Sequence, residues 1–342
     1  MRTMVLQTLH NWNTDTSRTG RQSPVALSIC LVLLVFFVGC QTSHRPSAAR
    51  VITTQPTSRP AVAAKPMFDF TKGAAGFPLA GRLPLNSGEN FVSELIGGYA
   101  ARVALPSTRP SVVAQGRFPH LDSLNINLSD GTIRTSIRPT SLKSVHKMES
   151  VATVKSFSYV ACPLHDEDAS ENLKITASDA KLELIRGRGE KEVLVMTDAR
   201  QGEAQFYVSL ADLRTLVRDA AGDSGGRVIF FVRDTELTMT SENPRSLQAT
   251  LEIRGFWLLI PTQITLSGRL DVDQNFNAKL SSLSCTGTEA GGPLLAGFIN
   301  NSLKKYEGKT MPLAAFPGDH LKMRDLHISV DDTLHIDAEF GD

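Results

Sequence analysis

Alternation of apolar and polar residues dominates the chain from about residue 120 onward, and it predicts strands. Leu124, Ile126 and Leu128 alternate with Ser123, Asn125 and Asn127; Ser129-Asp130-Gly131 then supplies turn chemistry before Ile133 and Ile137, which predicts a hairpin. Val151–Cys162 mixes Val, Thr, Phe and Tyr with Ser in a long strand pattern, and Leu173–Ile185 is expected to pair with Val193–Met196 across Gly187-Arg188-Gly189. Further strand-like runs lie at 205–208, 227–232, 237–240, 246–254, 262–272 and 277–284. Leu326, Ile328 and Val330 alternate with His327 and Ser329, and Asp331-Asp332 leads into Leu334, Ile336, Ala338 and Phe340, a second hairpin with one apolar face.

Three stretches switch to helical spacing. Phe91, Leu95, Tyr99 and Val103 recur every four residues, predicting a helix over about 87–103. Ser209 opens a second, with Asp212 three residues on as in a capping box and Gly222 suited to end it; Leu210, Leu213, Leu216 and Val217 should face inward. The third starts at Pro293 and carries Leu295, Ile299 and Leu303 on one stripe with Leu294 and Phe298 beside it, while Lys304, Lys305 and Lys309 suit the negative end of its dipole. Helix, strands, helix, strands, helix, hairpin, with no repeat at a fixed period, predicts an α+β fold with helices gathered on a mostly antiparallel sheet.

The N-terminal part has a different texture. Arg18 and Arg21 precede an apolar run from Val25 to Val38, long enough for the core of a secretion signal and short of the roughly 20 residues of a membrane-spanning helix. The run ends Phe37-Val38-Gly39-Cys40, which resembles a bacterial lipobox, with Phe37 in place of the usual Leu. This resemblance implies a signal peptide over 1–39, acylation of Cys40 as the mature N-terminus and, with Gln41 rather than Asp next, sorting to the outer membrane facing the periplasm. The alternative is an uncleaved anchor helix. From Cys40 to Pro66 the chain is rich in Ser, Thr, Ala and Pro and cannot bury a core, so it is expected to be a disordered tether. Its reach lies between about 30 Å as a coil and about 80 Å as a polyproline-like rod. The remainder, 67–342, is read as a single domain.

Lys plus Arg total 36 against 35 for Asp plus Glu, which argues against a nucleic-acid partner. In the exported part only Cys162 and Cys285 remain, and a disulfide between them is one outcome; closing so long a loop would contribute about 4–5 kcal/mol.

Several motifs look chemical and have a plainer account. Gly222-Asp223-Ser224-Gly225-Gly226 copies the segment around a chymotrypsin-like nucleophile, but His120, His146 and His165 upstream sit in none of the contexts that family uses for its base, and a helix-ending turn explains the same residues. Asp271, Asp273 and Asn275 begin like a calcium loop, yet Phe276 stands where Gly is needed and Ser282 where a bidentate Glu is needed; a hairpin turn is the alternative. His165-Asp166-Glu167-Asp168 is expected to be an acidic solvated loop, and His327 and His335 are possible neighbours across strands. With no HExxH and no paired CxxC, we expect no catalytic constellation, no metal and no cofactor. Phe256-Trp257-Leu258-Leu259-Ile260, stopped by Pro261, is apolar on both faces, so it is either a buried core strand or has one side on a ligand cavity.

The C-terminal order carries a resemblance. After Ile264-Thr265-Leu266-Ser267-Gly268-Arg269-Leu270 come Gly292-Pro293-Leu294-Leu295, an apolar helix, Met311-Pro312-Leu313, Phe316-Pro317-Gly318 and then Leu321 to Val330 leading to Leu334-His335-Ile336. With Phe118-Pro119-His120-Leu121 and Val208-Ser209-Leu210-Ala211-Asp212-Leu213 earlier, this looks like the LmeA-like family of exported lipid-binding proteins, similar in turn to tubular lipid-binding domains. The stretch 142–198 departs from the family's order. The resemblance implies a strongly curved, mostly antiparallel sheet wrapped around amphipathic helices, and a groove that takes acyl chains. Its lining is expected from Phe91, Leu95, Tyr99, Phe256, Trp257, Leu259, Leu295, Phe298, Ile299 and Leu303, with phospholipid or another amphiphile as partner and the membrane reached through the lipid anchor. A structural lipoprotein that scaffolds the envelope, its core filled by its own side chains, is the alternative.

Overall fold

The computed structural model describes residues 66–70, 76–106, 111–134, 145–166, 168–187, 192–223, 230–257, 259–317 and 320–342. The signal-like run, Cys40, the tether up to residue 65, Ile137 and Ser224 lie outside them. The described chain is mostly sheet with three helices, an α+β fold. In chain order its elements are β1 (Phe68–Asp69), α1 (Gly88–Arg102), β2 (Val103–Ala104), β3 (Val112–Arg117), β4 (His120–Asn127), β5 (Gly131–Ile133), β6 (Val145–Asp166), β7 (Ala169–Gly187), β8 (Glu192–Asp198) and β9 (Gln201–Ser209). There follow α2 (Leu210–Asp223), β10 (Phe230–Thr240), β11 (Ser246–Trp257), β12 (Ile260–Val272), β13 (Asn277–Thr288), α3 (Gly292–Leu303), β14 (Thr310–Pro312), β15 (Ala314–Ala315), β16 (Lys322–Val330) and β17 (Thr333–Gly341).

The helices begin where the sequence signals them. The Ser87 hydroxyl accepts from the Asn90 amide at 3.2 Å to cap α1, and the Ser209 hydroxyl accepts from the Asp212 amide at 3.0 Å to cap α2. Two of the expected hairpins form, with Ile185 opposite Val193 and Val330 opposite Leu334; of the first, only 181–186 pairs with β8, while 172–178 pairs with β9. The expected 124–137 hairpin does not form. Instead β4 and β5 lie end to end along one partner, both parallel to β6, with Leu124 opposite Phe157 and Gly131 opposite Leu164. The turn between them is a jog in one line: the Leu128 amide donates to the Val160 carbonyl at 2.7 Å and the Asp130 amide to that of Pro163 at 2.7 Å, so the backbone stays tied to β6 through the bend. Turn residues signal a change of direction without fixing its size.

Two sheets carry the fold. A ten-stranded sheet orders β16-β17-β9-β7-β6-β4-β3, with β8 also on β7 and β5 between β6 and β2. A five-stranded sheet orders β10-β11-β12-β13-β14, every neighbour antiparallel. Two large apolar cores result, beside a small cluster of Ile185, Val193 and Val195. One gathers α1 with β4, β6, β7 and β8. The other gathers α2, α3 and the five-stranded sheet with β16 and β17. One face of β17 serves both, since Leu334 belongs to the second core and Phe340, on the same side by period-two alternation, to the first. Around α1 the chain 78–83 is strapped across the helix. Gly98 lets it approach, because a Cβ there would lie 2.2 Å from the Pro78 carbonyl oxygen, and the buried Glu94 carboxylate accepts from the amides of Arg82 at 2.9 Å and Leu83 at 2.7 Å.

Candidate functional site

The ten residues expected to line one groove divide between two environments. Phe91 and Leu95 have 0% of their surface accessible, and Tyr99 and Leu303 are nearly as enclosed at 5% and 2%. A groove wall must touch a void, and these side chains touch none large enough for water; they are packed core, with Phe91 against Phe118 (ring centroids 5.7 Å apart) and Tyr99 against Tyr159 (6.3 Å). That corrects the expectation for these four. The stripe on α1 is filled by the protein itself.

The other six come together at one end of the five-stranded sheet. Trp257 pairs with Ile260 across the β11–β12 connection, so the run 256–260 is the tip of a hairpin and neither a buried strand nor one broken by Pro261. Leu259 sits in the two-residue turn with φ +68°, a conformation that favours Gly, Asn or Asp over a leucine, and is 81% exposed. On the face that meets α3, Trp257 is half-buried with its ring edge-on to Phe298 at 6.3 Å, and Leu295 and Ile299 pack half-buried on the core below. Outward from α3, Phe298 (63%) and Leu294 (64%) are exposed. On the opposite face of the sheet Phe256 stands directly across from Phe231, both exposed. Six of the ten large apolar side chains exposed among the described residues (Phe231, Phe256, Leu259, Ile260, Leu294, Phe298) belong to this lip. Neither 255–268 nor 291–303 contains a charged residue. Patches of this kind mark binding surfaces.

The sequence reading named Phe256, Trp257 and Leu259 and placed Phe298 beside the inward stripe, but missed Phe231 and treated 256–260 as one strand. No signal was available: the run 256–260 carries no Gly, Asn, Asp or Pro before Pro261, so pattern alone cannot show a reversal there.

The polar candidates fall elsewhere. Cys162 and Cys285 are free thiols, which corrects the disulfide. They sit in different sheets: the Cys162 thiol is 3.6 Å from the Leu173 carbonyl oxygen, whereas Cys285 is buried in β13, its backbone clasped by the Asn300 side chain at 2.8 and 2.6 Å and its thiol pushed up to about 12 by burial. Asp273 holds the β12–β13 turn, its Oδ1 accepting from the Asn275 and Asn277 amides at 2.8 Å each; these bonds hold its carboxyl below the usual range, as a hairpin turn requires. His335 stacks on Tyr207 and lies opposite Ser329, while His327 lies opposite Asp337, so the two histidines do not face each other. His120 bonds the Thr153 hydroxyl at 2.9 Å across the β4–β6 pairing, at an exposed position.

The 165–168 loop departs from its expectation, because Asp166 is buried. Beside it Glu171 is 1% exposed, and neither of its oxygens has a hydrogen-bond partner. Burial, then the Asp166 charge, pushes its carboxyl up to about 8, so it is a neutral acid over most of the physiological range. One group of candidate metal ligands assembles: Asp198, His320 and Asp342 offer atoms all within 4.8 Å of one another. Two of the three are exposed, and we assign no ion there. Among the described residues no helix is long and apolar enough to cross a membrane.

Comparison with protein-family models, with curated proteins and with solved structures found no match.

Proposed function

We propose that this chain is an exported lipoprotein, acylated at Cys40, that binds or shuttles phospholipid or another acyl-chain amphiphile in the cell envelope. On this reading the acyl chain is taken at the lip between the β11–β12 tip and α3, along Trp257, Leu295, Phe298 and Ile299, and not in a hollow between α1 and the sheet. The observation that carries it is the lip itself: an uncharged, aromatic-rich surface left open on a protein that encloses the stripe of α1 completely. Hydrocarbon gains about 0.8 kcal/mol per methylene withdrawn from water, so a chain of ordinary length binds there without any charged recognition group. The resemblance to the LmeA-like family, the curved wrap of sheet around helix that it implies, and the lipobox-like Phe37-Val38-Gly39-Cys40 point the same way.

The test is native mass spectrometry and lipid extraction of the acylated full-length protein, purified in a mild, exchangeable detergent. A stoichiometric amphiphile that is lost in Phe298→Ser supports the proposal. A protein that is empty from every preparation sinks it. In the same preparations Cys40→Ala should give an unacylated precursor; unchanged mass and membrane extraction would remove the anchor from the account.

A further inference from the structure

The lip presents apolar side chains on both faces of the sheet and at its turn, with exposed Arg254 and Glu289 at its borders. Phe231 and Phe256 lie on one face of the sheet, Trp257 and Ile260 on the other, and Leu259 projects from the turn joining them. A protein partner or a second copy of this chain would cover one face and leave the rest wet. A medium that surrounds the tip accounts for all of it, and the surrounding apolar medium within an anchored protein's reach is a bilayer. The backbone supports this: Leu259 keeps a left-handed conformation that Asn would adopt more cheaply, so the turn is built around an exposed leucine at a cost in stability.

The chain ahead of the described residues fits the same occupant. Pro66 leads into Met67 and Phe68, whose amides donate to the carbonyls of Pro312 and Leu313 at 2.8 Å each. Pro312 lies opposite Asn277 at the start of β13, whereas the lip adjoins the β13 end, near Thr288. Tether exit and lip are therefore at opposite ends of the sheet, about 40 Å apart along β12 at the usual rise per residue. A tether that stopped at its attachment point would hold the lip away from the anchoring membrane. The tether, with its extended reach of about 80 Å, is long enough to run the length of the sheet.

We propose that the lip inserts into the lipid surface of the same membrane that holds the N-terminal anchor, a span that the number of residues between Cys40 and Met67 is sufficient to bridge. The inference rests on the lipoprotein reading above and adds orientation and partner to it.

Processing ahead of Cys40 would remove Trp12 and leave Trp257, inside the lip, as the only tryptophan; Trp12→Phe gives the same probe in an uncut chain. The full-length protein is reconstituted into phosphatidylcholine–phosphatidylglycerol vesicles with or without bromine-labelled acyl chains. Expected is a blue-shifted Trp257 emission quenched by the brominated chains. Leu259→Asn should weaken that quenching about tenfold in lipid titration while melting no lower than the parent, since Asn relieves the turn. Deleting Ser43–Pro60 leaves a reach of about 25 Å and should abolish quenching by the anchoring vesicle, while brominated vesicles added separately still quench. Three results overturn the inference: Trp257 unquenched in the parent, full quenching with the shortened tether, or a blue shift that follows protein concentration without lipid, the mark of self-association. Lipid recovered from the purified protein without Trp257 quenching overturns the docking inference and leaves the carrier reading intact. Quenching by a protein that never carries lipid does the reverse.

Discussion

α1 and α3 present similar apolar stripes in sequence and meet opposite fates. Phe91, Leu95 and Tyr99 on α1 are enclosed by β4, β6, β7 and the strap 78–83, with Glu94 tying the strap down. On α3, Leu303 and Ala296 are buried, yet Leu294 and Phe298 on the neighbouring side stay in the open beside a hairpin tip that is equally bare. A helix stripe therefore does not by itself announce a ligand groove. What matters is whether the surrounding chain supplies a cover, and around α3 the described chain does not.

That contrast can be broken most forcefully at the covered end. Phe91→Ala should destabilise the protein by about 3–5 kcal/mol, read as a drop in the denaturation midpoint, because the packed surroundings cannot collapse into the space. Unchanged stability would mean that the α1 side is hollow after all. A nearly comparable effect is expected at the buried start of β7. With its carboxyl pushed from an ordinary 4.5 to about 8, Glu171 stabilises the fold fully only below its unfolded value, and that contribution is lost as the pH rises toward and through 8. At pH 7 the loss is about 3 kcal/mol relative to pH 4.5. Glu171→Gln should remove this slope, so thermal melts of variant and parent should converge near pH 4.5 and separate as the pH rises, with the variant higher.

Smaller again is Glu94→Ala, which removes the buried carboxylate that accepts from the strap amides and should cost about 2 kcal/mol, with faster amide exchange at Arg82 and Leu83. Smallest is Phe298→Ser, expected to change stability by no more than about 0.5 kcal/mol while lowering amphiphile binding by an order of magnitude. A loss of stability there as large as at Phe91 would show that the lip is a core element.

Much of the architecture was legible because it rests on local rules. The Ser209 cap and the 326–340 hairpin follow from side chains that make the same bonds wherever they stand. The jog between β4 and β5 was not, since Ser129-Asp130-Gly131 fits a reversal as well as a bulge, and the choice was made by Val160 and Pro163 more than 30 residues away. Cys162 and Cys285 both lie near strand ends in the sequence, but pairing depends on which sheet each strand joins. The lip was half legible. Its apolar run was plain, but exposure is a tertiary property: the same five residues would make a good core strand, and only the reversal between Trp257 and Ile260 leaves Leu259 and Ile260 exposed at a sheet end.

The most direct test of the central claim is a titration of the purified full-length protein with a monomeric, brominated fatty acid, read at Trp257. The account predicts saturable quenching that persists unchanged in Phe91→Leu and needs about tenfold more fatty acid in Phe298→Ser. Saturable binding by mass spectrometry with Trp257 unquenched would place the ligand away from the lip and contradict it.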